Sequence, residues 1–190
     1  MRKFLMMVVG FLGTIAFVGF AQAAPLIVDD FDSGSKPNKL GGDFGSWDKD
    51  PNDQTQGCQI SFDSTVKHGD HGYCVKIDYD VESPNPAYNG FWMKLNNLDA
   101  SQYKTLSFWM KGDSEKGFTS QVKIELKNKN EVGKYMVTGL TDQWQKISIP
   151  LDKFRGLNDK TGLTEFVLVF DDINSTEKYG AIYLDDVVFE

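Results

Sequence analysis

At 190 residues the chain is long enough for one domain with a real core. Its 27 acidic residues against 20 Lys and Arg give a formal charge of −7. That balance repels nucleic acid and anionic lipid, so neither is expected as a partner.

The chain opens with Arg2 and Lys3, an apolar run from Phe4 to Phe20, and Ala21-Gln22-Ala23. Basic, apolar, then small-x-small is the pattern of a secretory signal. Cleavage is expected after Ala23, because a cut after Ala24 would place Pro25 directly behind the scissile bond. An uncleaved anchor ranks second, since the apolar run lies at the lower edge of a bilayer span. The expected product, residues 24–190, is a single domain that is secreted or periplasmic and has no transmembrane segment. Export implies an oxidising compartment, so Cys58 and Cys74, on neighbouring strand-like segments, are expected to form a disulfide.

Beyond the signal, helical periodicity is almost absent and alternation is frequent. Leu26–Phe31 reads as a first strand. Ser33 to Gln56, rich in Gly, Asn and Asp, reads as one long loop, a kind that is often functional. Gln59–Phe62 follows, then the turn-like Lys67–Gly72 with its two histidines. Tyr73–Tyr79 alternates, with Tyr73, Val75, Ile77 and Tyr79 on one face and Cys74, Lys76 and Asp78 on the other. Gly90–Leu95 and Thr105–Lys111 place Phe91 and Met93, and Leu106, Phe108 and Met110, inward. Ser120–Lys127, Lys134–Thr138 and Gln145–Leu151 continue the alternation, and Trp144 is expected in the core. Glu165–Phe170 is apolar on both faces, which predicts a central strand covered on both sides. Ala181–Phe189 closes the series. About ten strands with turn-rich connectors predict an all-β fold, a two-sheet antiparallel β-sandwich.

Several of these segments resemble one family. Tyr103-Lys-Thr-Leu-Ser-Phe-Trp-Met-Lys-Gly-Asp113 is similar to the Y-x-x-L-S-F-W-x-K-G strand of jelly-roll carbohydrate-binding modules. Thr141-Asp-Gln-Trp-Gln-Lys-Ile-Ser-Ile-Pro-Leu-Asp-Lys-Phe154 resembles their W-Q-K-x-x-I-P-L-x-x-F segment. Val28–Asp32 and Ile182–Phe189 are similar to their opening and closing strands. The resemblance points to the galactose-binding-like sandwiches, including family 11 modules and the domain of complex I intermediate-associated protein 30. It implies the jelly-roll fold and carries less weight for the ligand.

The resemblance also implies a structural calcium tying the first strand to the last. Each of those strands carries adjacent aspartates, Asp29-Asp30 and Asp185-Asp186. Asp185 shares parity with Val187 and Phe189, so it points inward and needs a cation or several hydrogen bonds. At the front, the family pattern favours Asp30 and strand parity favours Asp29, so the choice stays open between them. Calcium takes carboxylate, carbonyl and water oxygens, which strand and loop ends supply. The competing reading has these aspartates capping backbone amides.

A sugar site stacks an aromatic face on a pyranose ring and addresses its hydroxyls with polar side chains. Trp92 shares a strand face with Lys94, and Trp109 shares one with Ser107 and Lys111, so both indoles fall on polar faces. Asp78, Asp80, Lys123 and Glu125 are expected on the same platform, with Tyr88 as a rim and Trp47, in the long early loop, as a further candidate. Against this, Trp109 is expected to be covered by a loop. No G-x-S-x-G, H-E-x-x-H or phosphate-cradling glycine loop is present, so no catalytic role is expected. The expected function is non-catalytic glycan binding. The alternatives are a protein-binding domain of the assembly-factor or envelope type and a small polysaccharide-active enzyme.

Overall fold

A computed structural model describes residues 23–190. Most of the expected signal therefore lies outside the described residues. Among them no helix is long and apolar enough to cross a membrane.

Eleven strands run in order: β1 (Leu26–Asp29), β2 (Phe44–Asp48), β3 (Gly57–Asp63), β4 (Cys74–Asp80), β5 (Tyr88–Leu98), β6 (Thr105–Gly112), β7 (Gln121–Lys127), β8 (Val132–Thr138), β9 (Gln145–Pro150), β10 (Leu163–Asp171) and β11 (Tyr179–Phe189). They form two antiparallel sheets of a jelly-roll sandwich. The first has the order β3-β4-β11-β6-β9, and β1 also pairs with β11. The second has the order β2-β5-β10-β7-β8. One edge of β11 is shared in succession: Tyr179–Leu184 pairs with β4, and Val187–Phe189 pairs with β1. The expectation that the two ends of the domain meet is thereby met.

The alternating residues fill the space between the sheets. Val75, Ile77, Phe108, Met110, Phe91, Met93, Ile124, Phe166, Leu168 and Phe170 are all buried in one cluster. Aromatic pairs bridge the layers: Tyr79 of β4 stacks on Phe170 of β10 at 4.1 Å, and Phe108 of β6 meets Phe166 of β10 at 5.5 Å. Burial of this apolar surface is the main term holding the layers together.

Three expectations need correction. The loop expected from Ser33 to Gln56 contains β2, whose Phe44-Gly-Ser-Trp-Asp48 reads as loop because glycine, serine and aspartate are weak strand formers. It is held as a strand by ladder pairing to β5, from Phe44 opposite Met93 to Asp48 opposite Asn89. Second, Cys58 and Cys74 are free and buried. Cys58 sits opposite Tyr79 and faces the core, whereas Cys74 sits opposite Asp63, at the far end of the β3–β4 ladder and on the other face. Neighbouring strands do not bring such cysteines within bonding reach. Third, Trp144 lies outside the core cluster; its indole Nε1–H donates to the Lys67 carbonyl at 3.1 Å.

Candidate functional site

The outer face of the second sheet carries a cleft of about 830 Å³. Its geometry follows from strand register. Opposed residues of an antiparallel ladder share a face, so Gly45, Trp92, Val167 and Glu125 form one row across β2, β5, β10 and β7. Trp47, Gly90, Val169 and Lys123 form the next row, and Lys94, Glu165 and Lys127 a third. Val167 and Val169 are buried beneath their neighbours and floor the cleft. Here the doubly apolar β10 acquires its meaning. Its inner face packs on the other sheet, while its outer face is the apolar base of a site rather than the underside of a third layer.

Two glycines make room for two indoles. A Cβ on Gly45 would stand 3.4 Å from atoms of the Trp92 ring, so that ring lies against bare backbone. A Cβ on Gly90 would stand 3.3 Å from Trp47 Nε1 and collide with the Leu168 carbonyl oxygen at 1.9 Å. Trp92 Nε1–H donates to the Ser46 carbonyl at 3.2 Å, and the Lys94 ammonium lies 5.4 Å from the ring centroid. Trp47 and Tyr88 meet at 5.9 Å with a 58° tilt, and Lys49 lies 5.3 Å from the Tyr88 ring. These contacts fix the rings, and all three line the cleft.

Charged groups ring the aromatics. Glu165 bridges Lys94 and Lys127, the latter at 3.2 Å. Burial pushes its carboxyl up, but hydrogen bonds from the two lysines outweigh that, and its pKa ends below the usual glutamate value. Lys123 meets Asp171 at 3.2 Å. Asp171 is likewise held low: burial acts against the charge, and donation from the Asn174 side chain and backbone and from Lys123 prevails. Glu125 has no ion-pair partner among the described residues. The rim is stiffened by a reciprocal tie, in which Asp172 N–H donates to the Ala87 carbonyl and Ala87 N–H to the Asp172 carboxylate, each at 3.0 Å. Ile173, 84% exposed, stands on that rim.

The expected platform residues divide between the two outer faces. Trp47, Tyr88, Trp92 and Lys94 come together in the cleft, with Lys123 and Glu125. Trp109 and Asp78 belong to β6 and β4 of the other sheet and cannot join them. Trp109 is stacked by His68 at 3.8 Å and 18°, the loop cover expected for it. Asp78 pairs with Lys116 at 2.7 Å, beside Asp80 in a separate polar hollow. The sequence reading missed Val167, Val169, Glu165 and Asp171; the signal for the first two was the apolar outer face of β10.

At the β1–β11 seam, Asp29 is 3% exposed and Asp185 2% exposed. Asp185 does not point inward as its parity with Val187 and Phe189 suggests: a β-bulge between Asp185 and Val188 breaks the alternation, and Asp185 lies opposite Trp109 on the outer face, buried beneath the His68 turn. Asp29 Oδ1 accepts the Phe31 N–H, while Oδ2 has no partner among the described residues. Desolvation pushes Asp29 up to about 6 and Asp185 up to about 7. Asp185 accepts the backbone N–H groups of His68 and Asp186, and Asp186 meets His68 Nδ1 at 2.8 Å. Asp30 is engaged instead by Lys39. Among the described residues no three His, Cys, Asp or Glu side chains converge as a metal cage.

Comparison with known proteins bears on this geometry. The solved family 11 carbohydrate-binding module from Clostridium thermocellum, in complex with a β-1,3-1,4-mixed-linked tetrasaccharide, aligns over 87% of this chain and 94% of its own, with 18% identity and a TM-score of 0.64. The CBM22-1 xylan-binding domain of Paenibacillus barcinonensis Xyn10C aligns over 90% and 97%, with 13% identity and a TM-score of 0.53. A β-1,2-glucanase from Parabacteroides distasonis aligns over 86% of this chain but 24% of its own, with 16% identity and a TM-score of 0.54. The shared sandwich thus occurs both as a separate module and as part of an enzyme. No curated protein matches the chain. The family model for carbohydrate binding domain 30 matches residues 37–190, from the loop before β2 through the last strand, and this chain belongs to that family.

Proposed function

We propose that this carbohydrate-binding domain is exported and holds a poly- or oligosaccharide in the cleft of the second sheet without acting on it chemically. The observation that carries the reading is the convergence of Trp47, Tyr88 and Trp92 on one valine-floored cleft edged by lysines and carboxylates. Saccharide rings have apolar C–H faces and polar edges, and this lining offers a partner to each. The C. thermocellum module with its bound tetrasaccharide supports glucan-like ligands as the first to test. The test is calorimetric titration of residues 24–190 with mixed-linked β-glucan, xylan and cello-oligosaccharides, alongside an assay for new reducing ends. Binding without product is expected; absence of heat with every polymer would overturn the reading.

A structural calcium at the β1–β11 seam belongs to the same proposal. Asp29 and Asp185 would be its carboxylates, because both are buried and Asp29 Oδ2 is unpartnered, whereas Asp30 is occupied by Lys39. Backbone carbonyls and water would complete the shell. A bound ion would neutralise the two desolvated carboxylates and clamp the first strand to the last. Chelation should lower the melting temperature and calcium should restore it; an unchanged melting curve would remove the ion from the account.

A further inference from the structure

Next to the aromatic cleft lies a second hollow of about 390 Å³, lined by Lys123, Lys134, Tyr135, Met136, Lys153 and Arg155. Four of its six lining residues are cations and none is an acid, in a chain whose formal charge is −7. Only Lys123 among the four is ion-paired among the described residues, with Asp171. Glu125, opposite Lys134 in register and on the same face, makes no ion pair with it. The cluster is built into the fold. Lys134 and Arg155 exchange two backbone hydrogen bonds, at 2.9 and 3.0 Å, which pin the segment after β9 along the β8 edge and bring their side chains to one place. Tyr135 packs on Phe154 from the same segment at 6.1 Å.

Lys123 lines both hollows, so the aromatic cleft and the basic patch form one continuous surface. From Trp92 on β5 to Lys134 on β8 the surface crosses three strand spacings, roughly 14 Å. An oligosaccharide stacked on the indoles and running across the strands would pass over the cations. Unpaired exposed cations cost little to the folded protein, but together they raise the local concentration of anionic groups. We infer that the basic hollow at β8 is a subsite for an acidic substituent, a carboxylate or a sulfate, so that the ligand class is a glycan with neutral rings on the tryptophans and an anionic unit at Lys134, Lys153 and Arg155. The inference rests on the glycan-binding reading of the adjoining cleft and narrows it. The overall negative charge sharpens it, because an acidic domain with no such patch would disfavour a polyanion.

The test uses residues 24–190 and a matched pair of probes: mixed-linked β-glucan, and the same polymer oxidised at C6 to carry glucuronate. A sulfated derivative forms a third arm that distinguishes the two anion sources. Affinity is read at 20 mM and 500 mM NaCl for the wild type, for Trp92→Ala and for the double variant Lys134→Glu with Arg155→Glu. Both basic side chains are exposed and their backbone bonds do not depend on them; a melting curve checks that the variant is folded. The expected result is about tenfold tighter binding of the oxidised or sulfated polymer at low salt. That advantage should disappear at high salt and in the double variant, which keeps its affinity for the neutral polymer. Equal affinity for neutral and charged polymers, or a preference that survives the double variant, would overturn the subsite and leave the cleft reading intact. If no polymer binds, or if Trp92→Ala changes nothing, the cleft reading fails and the subsite falls with it.

Discussion

Replacing Trp92 by alanine isolates the contribution of one ring face. One face of the indole lies against Gly45, and its Nε1–H is already donated to Ser46. The group therefore contributes to binding through its remaining face and not through a hydrogen bond to a sugar hydroxyl. A well-placed aromatic anchor is worth about 2 kcal/mol in a binding site, which is roughly a 30-fold rise in dissociation constant. The fold should survive: losing the Ser46 bond costs about 1 kcal/mol, and the half-buried indole adds about as much. At this chain length the sum lowers the melting temperature by about 4–8 °C. Trp92→Phe keeps a stacking face and loses only area and the Ser46 bond, so its affinity should stay within about fivefold of wild type. Trp109→Ala is the control, because its ring lies on the other sheet under His68. It should lower stability and leave affinity unchanged. Calorimetry with mixed-linked β-glucan, paired with thermal melts, measures both. If Trp92→Ala binds as well as wild type, or if Trp109→Ala weakens binding equally, the assignment of the site to the second sheet is wrong.

Asp113 supplies a pH test of the frame. Burial pushes its carboxyl up, but Lys76 at 2.8 Å, the Lys116 and Glu115 amides and the Tyr183 hydroxyl outweigh that and hold it at about 2 against an ordinary 3.8. A depressed carboxylate stabilises the fold above its unfolded pKa and loses that contribution as pH falls. Asp113→Asn should therefore cost about 2 kcal/mol at pH 7 and only about half as much near pH 3; a pH-independent difference in denaturant titrations would contradict the linkage. The cysteines make a separate prediction, since burial pushes both thiols well above their ordinary range. Thiol titration after unfolding without reductant should count two free groups, and a count of zero would restore the disulfide. Phe166, fully buried against Phe91 and Phe108, should cost about 3–5 kcal/mol as alanine; a loss under 1 kcal/mol would mean that the sheets are not packed as described.

Strand parity made much of this fold legible before any coordinates. Val75 and Ile77, Leu106 and Phe108, and Val122 and Ile124 are buried as their alternation requires. Parity also placed Trp92 with Lys94 on a polar face. It breaks at the two ends of the domain, where a β-bulge between Ile27 and Asp29 leaves Ile27 exposed with Val28 and Asp29 buried, and another between Asp185 and Val188 sets Asp185 opposite Trp109. It fails one level higher, because alternation says which face of a strand a residue occupies but not which sheet the strand joins. Trp92 and Trp109 read alike in sequence and lie on opposite outer surfaces. The same limit put Asp78 with Lys94. The cysteines fail for another reason: β3 and β4 are neighbours as expected, but their register sets Cys58 and Cys74 at opposite ends of the ladder and on opposite faces. Strand β2 was hidden for a different reason: its pairing energy resides in the ladder with β5, and its glycine serves the Trp92 ring rather than strand propensity.

The contrast between the two indoles also explains why the outer faces around them differ. On the first sheet, the loop between β3 and β4 folds back over β6 and β11. His68 donates its backbone N–H to Asp185, meets Asp186 through its ring, and lays that ring on Trp109, while Trp144 holds the Lys67 carbonyl. Four contacts from one short turn thus cap the surface that Trp109 would otherwise present. On the second sheet the neighbouring segments stop at the edge. Loop 82–87 and turn 171–175 bond to each other through Ala87 and Asp172 and form a wall beside β5 and β10 rather than a cover over them. The apolar strip of Val167 and Val169 is left at the base of a trough whose sides are set before any ligand arrives. A ligand entering it would have few rotamers to freeze, because Trp92, Trp47 and Tyr88 are already fixed by backbone, ring and lysine contacts. Preorganisation of this kind lowers the ordering cost of binding, and it accounts for a site built on paired strands instead of on loops.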